Sequence, residues 1–102
     1  MQRSVEVTRL AEADALRAFV WYLDNCLSER PALGFQAELR NCYRRIEQSA
    51  EQFPEYRRGA RRALLQTYPY GVVFRIVEPR VIITAVMHLK QRPGFGARRS
   101  PG

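Results

Sequence analysis

Two β-prone runs, residues 71–77 and 81–89, are separated only by Glu78-Pro79-Arg80. Three residues are too few for the crossover that a parallel pair requires, so the runs turn back on each other as antiparallel neighbours. Both are apolar on both faces. Val72, Phe74 and Ile76 lie on one side of the first run and Val73 and Val77 on the other, with Arg75 between them. In the second, Val81, Ile83, Ala85 and Met87 oppose Ile82 and Val86, punctuated by Thr84 and His88. A sheet with one wet face alternates apolar and polar residues, and this one does not. One face must meet helices. The other must meet a partner, a second copy, or another part of this chain.

The preceding residues supply two helices. Residues 4–8 alternate as a short strand, and Thr8 can cap the helix after it. Residues 10–27 contain no Gly or Pro, and Leu16, Phe19, Val20, Leu23 and Leu27 recur at helical spacing, widened by Trp21 and Tyr22. Ser28-Glu29-Arg30-Pro31 breaks this helix, and Pro31 suits the first turn of the next. Phe35, Leu39, Cys42, Ile46 and Phe53 form its apolar face, with Gly34 as an oddity near its start, and Phe53-Pro54-Glu55 ends it. Residues 56–62 read as a basic loop, 63–67 as a strand, and Tyr68-Pro69-Tyr70-Gly71 as a turn. The order is β-α-α-β-β-β, an α+β fold with a helical hairpin packed on one face of a small, mainly antiparallel sheet. Phe35, Leu39, Ile46, Phe74 and Ile83 are its expected core. From Gln91 onward Gly, Pro and Arg dominate. Composition therefore predicts one domain over 1–92 and a flexible basic tail over 93–102.

Charge separates the halves. The 102 residues carry a net +7, but residues 1–55 hold seven arginines and nine acids, a balance of −2. Residues 56–102 hold nine arginines, Lys90 and a single acid, Glu78, a balance of +9. An anionic partner is expected for that half. No stretch approaches the roughly 20 apolar residues of a membrane span, and the first residues form no apolar leader, so a cytoplasmic protein without membrane contact is expected. Cys26 and Cys42 would sit at different levels of the helical hairpin and are expected as buried free thiols. No phosphate loop, metal-ligand cluster or nucleophile motif is present, so neither a cofactor nor a metal is expected.

The run Arg61-Arg62-Ala63-Leu64-Leu65, then Tyr68-Pro69-Tyr70, Val73-Phe74-Arg75, and Val81-Ile82-Ile83 leading to His88 and Arg92-Pro93 resembles the RelE/ParE toxin superfamily, in particular its ParE-like branch. Trp21-Tyr22 and Phe53-Pro54 agree with its helical half, and the resemblance spans about residues 4–95. It implies the toxin of a bacterial type II toxin–antitoxin module, neutralised by a cognate antitoxin. RelE-like members cut mRNA on the ribosome, whereas ParE-like members poison DNA gyrase by binding. At the RelE-type positions this chain has Gly71 in place of an arginine, Arg62 and Leu64 in place of two lysines, and no tyrosine near Ala97.

The resemblance therefore implies a gyrase-binding toxin with no catalytic residues. A ribosome-dependent endoribonuclease would instead have to draw on Arg61, Arg62, Arg75, His88 and Arg92, and a non-toxic antitoxin-binding domain is a further alternative. Arg57, Arg58, Arg61, Arg62 and Arg75 are expected to meet an acidic or amphipathic antitoxin segment. His88, Lys90, Arg92, Arg98 and Arg99 are expected to meet the target. Homodimer and toxin–antitoxin hetero-oligomer both stay open.

Overall fold

The computed structural model describes residues 3–92 and 94–101. Strand β1 (Ser4–Val7) leads into helices α1 (Arg9–Asn25) and α2 (Arg30–Ser49), and a 3-10 turn, Ala50–Gln52, comes next. Strands β2 (Glu55–Arg57), β3 (Ala60–Leu64), β4 (Tyr70–Val77) and β5 (Arg80–His88) complete the fold. The sheet order is β1-β5-β4-β3-β2, with β1 parallel to β5 and the other pairs antiparallel. This is the expected α+β arrangement, with both helices on one face of the sheet. Among the described residues no helix is long and apolar enough to cross a membrane.

Both helix starts obey local chemistry. Thr8 Oγ1 accepts the Ala11 N–H at 3.2 Å and so satisfies one of the first-turn donors of α1. Pro31 sits in the first turn of α2, where its missing N–H is not needed. Phe35, Leu39, Cys42 and Ile46 point from α2 into a core shared with Val72, Phe74, Val81, Ile83 and Val86. The expected core set is buried as a group. Phe53 lies beyond the 3-10 turn and not on α2. Its ring meets Phe74 edge-on at 5.9 Å. Cys42 is buried and Cys26 only half-buried, both as free thiols. Burial pushes the Cys42 thiol up to about 11, so it is unreactive at neutral pH.

Three expectations are corrected. First, the basic stretch 56–62 is a hairpin and not a loop. Its two-residue turn, Arg58-Gly59, has both φ values positive, at 53° and 80°, the geometry that matches the twist of adjoining strands. Second, Leu16, Val20, Leu23 and Leu27 of the α1 region are exposed. The buried residues of that helix are Ala11, Asp14 and Ala18, with Phe19 and Tyr22 half-buried beside them. Small side chains let α1 lie close over β5, which turns the leucines outward. Third, Val73 pairs with Ala85 while Phe74 pairs with Ile83, so Thr84 is an extra residue on β5. This bulge reverses the alternation. Val81, Ile83 and Val86 face the helices, and Ala85 and Met87 face the opposite side.

Gly34 has a spatial explanation. The Tyr68 ring packs against Tyr22 and Phe35, and its hydroxyl donates to the Pro31 carbonyl at 2.7 Å. A Cβ at position 34 would run into that hydroxyl. Glu38 holds the same loop, accepting the Gln66 and Thr67 N–H groups at 3.0 Å each. Gly34→Ala should therefore lower stability by about 1 kcal/mol in chemical denaturation, although alanine is the better helix former. Tyr68→Phe in that background should recover most of the loss by removing the clashing oxygen. A single Gly34→Ala variant as stable as the parent would contradict this account.

Candidate functional site

The face of the sheet opposite the helices is small. Ala60, Val73, Ala85 and Met87 form its buried patch, with Tyr56 and Phe95 packed against them. Phe95 comes from the segment after β5. Residues 94–99, assigned by composition to a flexible tail starting at 93, lie across this face; Pro93 and Gly102 lie outside the described residues. Phe95, Ala97 and Arg99 each donate a backbone N–H three residues back, to the Arg92, Gly94 and Gly96 carbonyls at 3.0, 3.0 and 3.1 Å. Gly96 has φ 78°, and a Cβ there would strike that of Ala85, so only glycine allows so close an approach. Ala97 is buried, and the Gly94 N–H donates to the Tyr56 hydroxyl at 2.7 Å. The open face is thus covered by the chain itself.

The anchor is Asp14. Strand β1 pairs with β5 only from Arg80 to Ile83, so the edge of β5 beyond that point lacks a neighbouring strand. Asp14 Oδ2 accepts the Val86 N–H at 3.0 Å. Arg99 Nη1 donates to Asp14 Oδ2 at 2.7 Å and to the Thr84 carbonyl at 2.8 Å. Gln91 Oε1 accepts the His88 N–H at 2.8 Å. Side chains thereby satisfy an edge that would otherwise expose backbone groups. Arg17 closes the other oxygen of Asp14 at 2.5 Å.

The expected basic residues are distributed unevenly. Arg61 lies on the helix side and donates to the Glu51 and Phe53 carbonyls at 3.0 and 2.7 Å. Arg62 lies on the opposite side, its guanidinium 4.6 Å from the Tyr56 ring centre and in contact with Met87. Arg75, also on that side, donates to the Arg58 carbonyl at 2.8 Å and to the Ala97 carbonyl. Arg80 pairs with Glu6 at 3.2 Å, and Arg99 is held by Asp14. His88 is on the helix side, edge-on to Tyr70 at 5.0 Å, in a cleft shared with Asp14, Arg17 and Trp21. Its Nδ1 accepts the Lys90 N–H at 3.0 Å. The sheet therefore separates Arg61 and His88 from Arg62 and Arg75, and these four do not meet. Lys90 is exposed on the turn after β5.

Four arginines remain: Arg57, Arg58, Arg92 and Arg98. All are exposed, and among the described residues none has a carboxylate at ion-pair distance. They line one open cleft of about 610 Å³, between the β2–β3 turn and the segment 94–99. Position along the chain divides them between two expected partners; the structure places them together. No group of three or more His, Cys, Asp or Glu side chains that could hold a metal ion occurs among the described residues.

Replacing Asp14 tests the anchor. Asp14→Ala should cost roughly 3 kcal/mol, because the Val86 N–H loses its acceptor and the Arg99 guanidinium loses its carboxylate. Hydrogen exchange should accelerate at Val86 and over residues 94–99, with α2 unchanged. Arg99→Ala should speed exchange in 94–99 at a smaller cost in stability. Unaltered exchange in that segment in both variants would show that Asp14 is not its anchor.

No family model matches the chain, and no curated protein does. Among solved structures, a chain described as "Chromosomal ParDE TA system from P. aeruginosa" superposes with a TM-score of 0.74 at 21% identity, covering 85% of this chain and 96% of that one. With the element order and sheet topology above, this establishes the fold: the chain shares the α+β architecture of that structure.

Proposed function

We propose that this chain is the toxin of a bacterial type II toxin–antitoxin module, a ParE-like protein that inhibits DNA gyrase by binding it and is neutralised by a cognate antitoxin. The shared fold supports the class. One observation favours binding over cleavage. Arg61 and His88 lie on one side of the sheet, and Arg62 and Arg75 lie on the other, engaged by internal partners. Phosphodiester cleavage requires a base, an acid and a charge-stabilising group converging on one phosphate within hydrogen-bond reach. Groups on opposite faces of a sheet cannot do this.

The antitoxin has a different surface to use. Leu16, Val20, Leu23 and Leu27 form an exposed apolar stripe along α1 and just past its end, with Leu33 exposed at the start of α2. An amphipathic segment would draw most of its affinity from burying such anchors, while charge complementarity would mainly set its association rate.

Purified protein added to gyrase and supercoiled DNA should block supercoiling, and added to translating ribosomes should leave mRNA intact. Expression in cells should raise the DNA-damage response before translation falls. Codon-specific mRNA cuts with unimpaired supercoiling would replace this reading with the nuclease, and silence in both assays would replace it with a non-toxic binding domain. Leu16→Glu combined with Leu23→Glu should weaken antitoxin binding by about tenfold or more without unfolding the protein, since both side chains are exposed.

A further inference from the structure

We propose that the cleft between the Arg58-Gly59 turn and the segment 94–99 binds the phosphodiester backbone of duplex DNA. The inference goes beyond the toxin reading and rests on the chemistry of the cleft alone.

Of the nine arginines in residues 56–102, five have internal partners: Arg61, Arg62, Arg75, Arg80 and Arg99. The four others, Arg57, Arg58, Arg92 and Arg98, all line this cleft, and no acid lines it. Converging like charges repel one another, and a concave surface focuses their field, so the cleft favours a multivalent anion. Guanidinium groups match the paired oxygens of a phosphodiester in a way that a lysine ammonium does not. The lining is poor in apolar anchors. Ala97 is buried, and the Phe95 ring packs against the patch formed by Ala60, Val73, Ala85 and Met87, with the Arg99 guanidinium over it, 4.9 Å from its centre. An acidic protein segment would find charge here without apolar burial, whereas the exposed apolar residues of this molecule lie on α1.

The same rings distinguish duplex from single strand. Binding of unpaired nucleic acid relies on aromatic faces on which bases stack. Both aromatic residues beside the cleft already carry a guanidinium on one face, Phe95 that of Arg99 and Tyr56 that of Arg62. Both also pack against the sheet. No open stacking platform is offered, so the readable feature is the backbone. Duplex DNA presents that backbone densely, at about one charge per 1.7 Å of axis.

Fluorescence anisotropy with a labelled duplex of about 20 base pairs tests this directly. If all four arginines meet phosphates, affinity should fall roughly 100-fold between about 50 and 200 mM salt. Arg92→Ala with Arg98→Ala should weaken binding at least about tenfold at the lower salt and reduce the salt slope by about 2. Arg40→Ala with Arg44→Ala, on the exposed side of α2, removes the same charge and should leave the slope unchanged. All four positions are exposed, and circular dichroism should show each variant folded like the parent. Equal weakening by both pairs would reduce the effect to net charge and overturn the proposal. So would tighter binding of a single-stranded oligonucleotide, or binding of a polyglutamate peptide with none of the duplex. Loss of the gyrase reading would leave these measurements untouched, so the two ideas fail separately.

Discussion

A single buried carboxylate ties together three parts of this fold: α1, β5 and the segment 94–99. Asp14 stands on the inward face of α1, receives a backbone N–H from β5, and holds the guanidinium that ends the segment crossing the far side of the sheet. A charged group with so little exposure is tolerable only when its lone pairs are filled, and here two arginines and an amide fill them. The dependence is mutual. β5 can leave its outer edge beyond Ile83 without a second neighbouring strand because Asp14, Arg99 and Gln91 take up backbone groups there. The end of the segment 94–99 is fixed to the sheet edge because Arg99 has acceptors within reach in Asp14 and the Thr84 carbonyl.

The bulge at Thr84 belongs to the same arrangement. One extra residue in β5 places Val86 toward the helices and Ala85 and Met87 toward the opposite side. The carbonyl of Thr84 becomes a second acceptor for Arg99, and the small side chain of Ala85 makes room for Gly96. Without the shift in alternation, the second face would present a different set of residues. Coverage of that face by Phe95 and Ala97 is therefore a consequence of local strand geometry as much as of the segment's composition.

The parts legible in the sequence are those governed by local pattern. Pro31, the Thr8 cap, the face of α2 from Phe35 to Ile46 and the β4–β5 hairpin each carry their own signal. The β2–β3 hairpin escapes notice because its turn is Arg58-Gly59, and an arginine at positive φ lacks the signature that Asn-Gly or Asp-Gly would give. The α1 face misleads because its bulkiest residues are not its buried ones. The quieter signal is Ala11, Asp14 and Ala18 at spacings of three and four, small residues around one acid, which marks a face meant for close approach. The bulge and the packing of 94–99 depend on contacts between residues far apart in the chain, such as Asp14 with Val86 and Arg99, and no window along the sequence reveals them.

Counting charge along the chain also misstates what a partner would meet. The +9 of residues 56–102 suggests a uniformly basic half, yet most of its arginines are structural: they cap carbonyls at the end of the helical hairpin, lie over Tyr56, bind the β2–β3 turn to the segment 94–99, or pair with Glu6 and Asp14. An arginine engaged in this way offers little field to solvent, because its charge is already matched by an acid or by oriented carbonyl dipoles. The usable positive potential is what remains, and it is gathered where the β2–β3 turn faces the last residues of the chain. Arg75 connects the two roles. By holding the Arg58 carbonyl with one nitrogen and the Ala97 carbonyl with the other, it fixes both walls of the cleft at once. The arginines that bind nothing outside the molecule therefore set the positions of those that can.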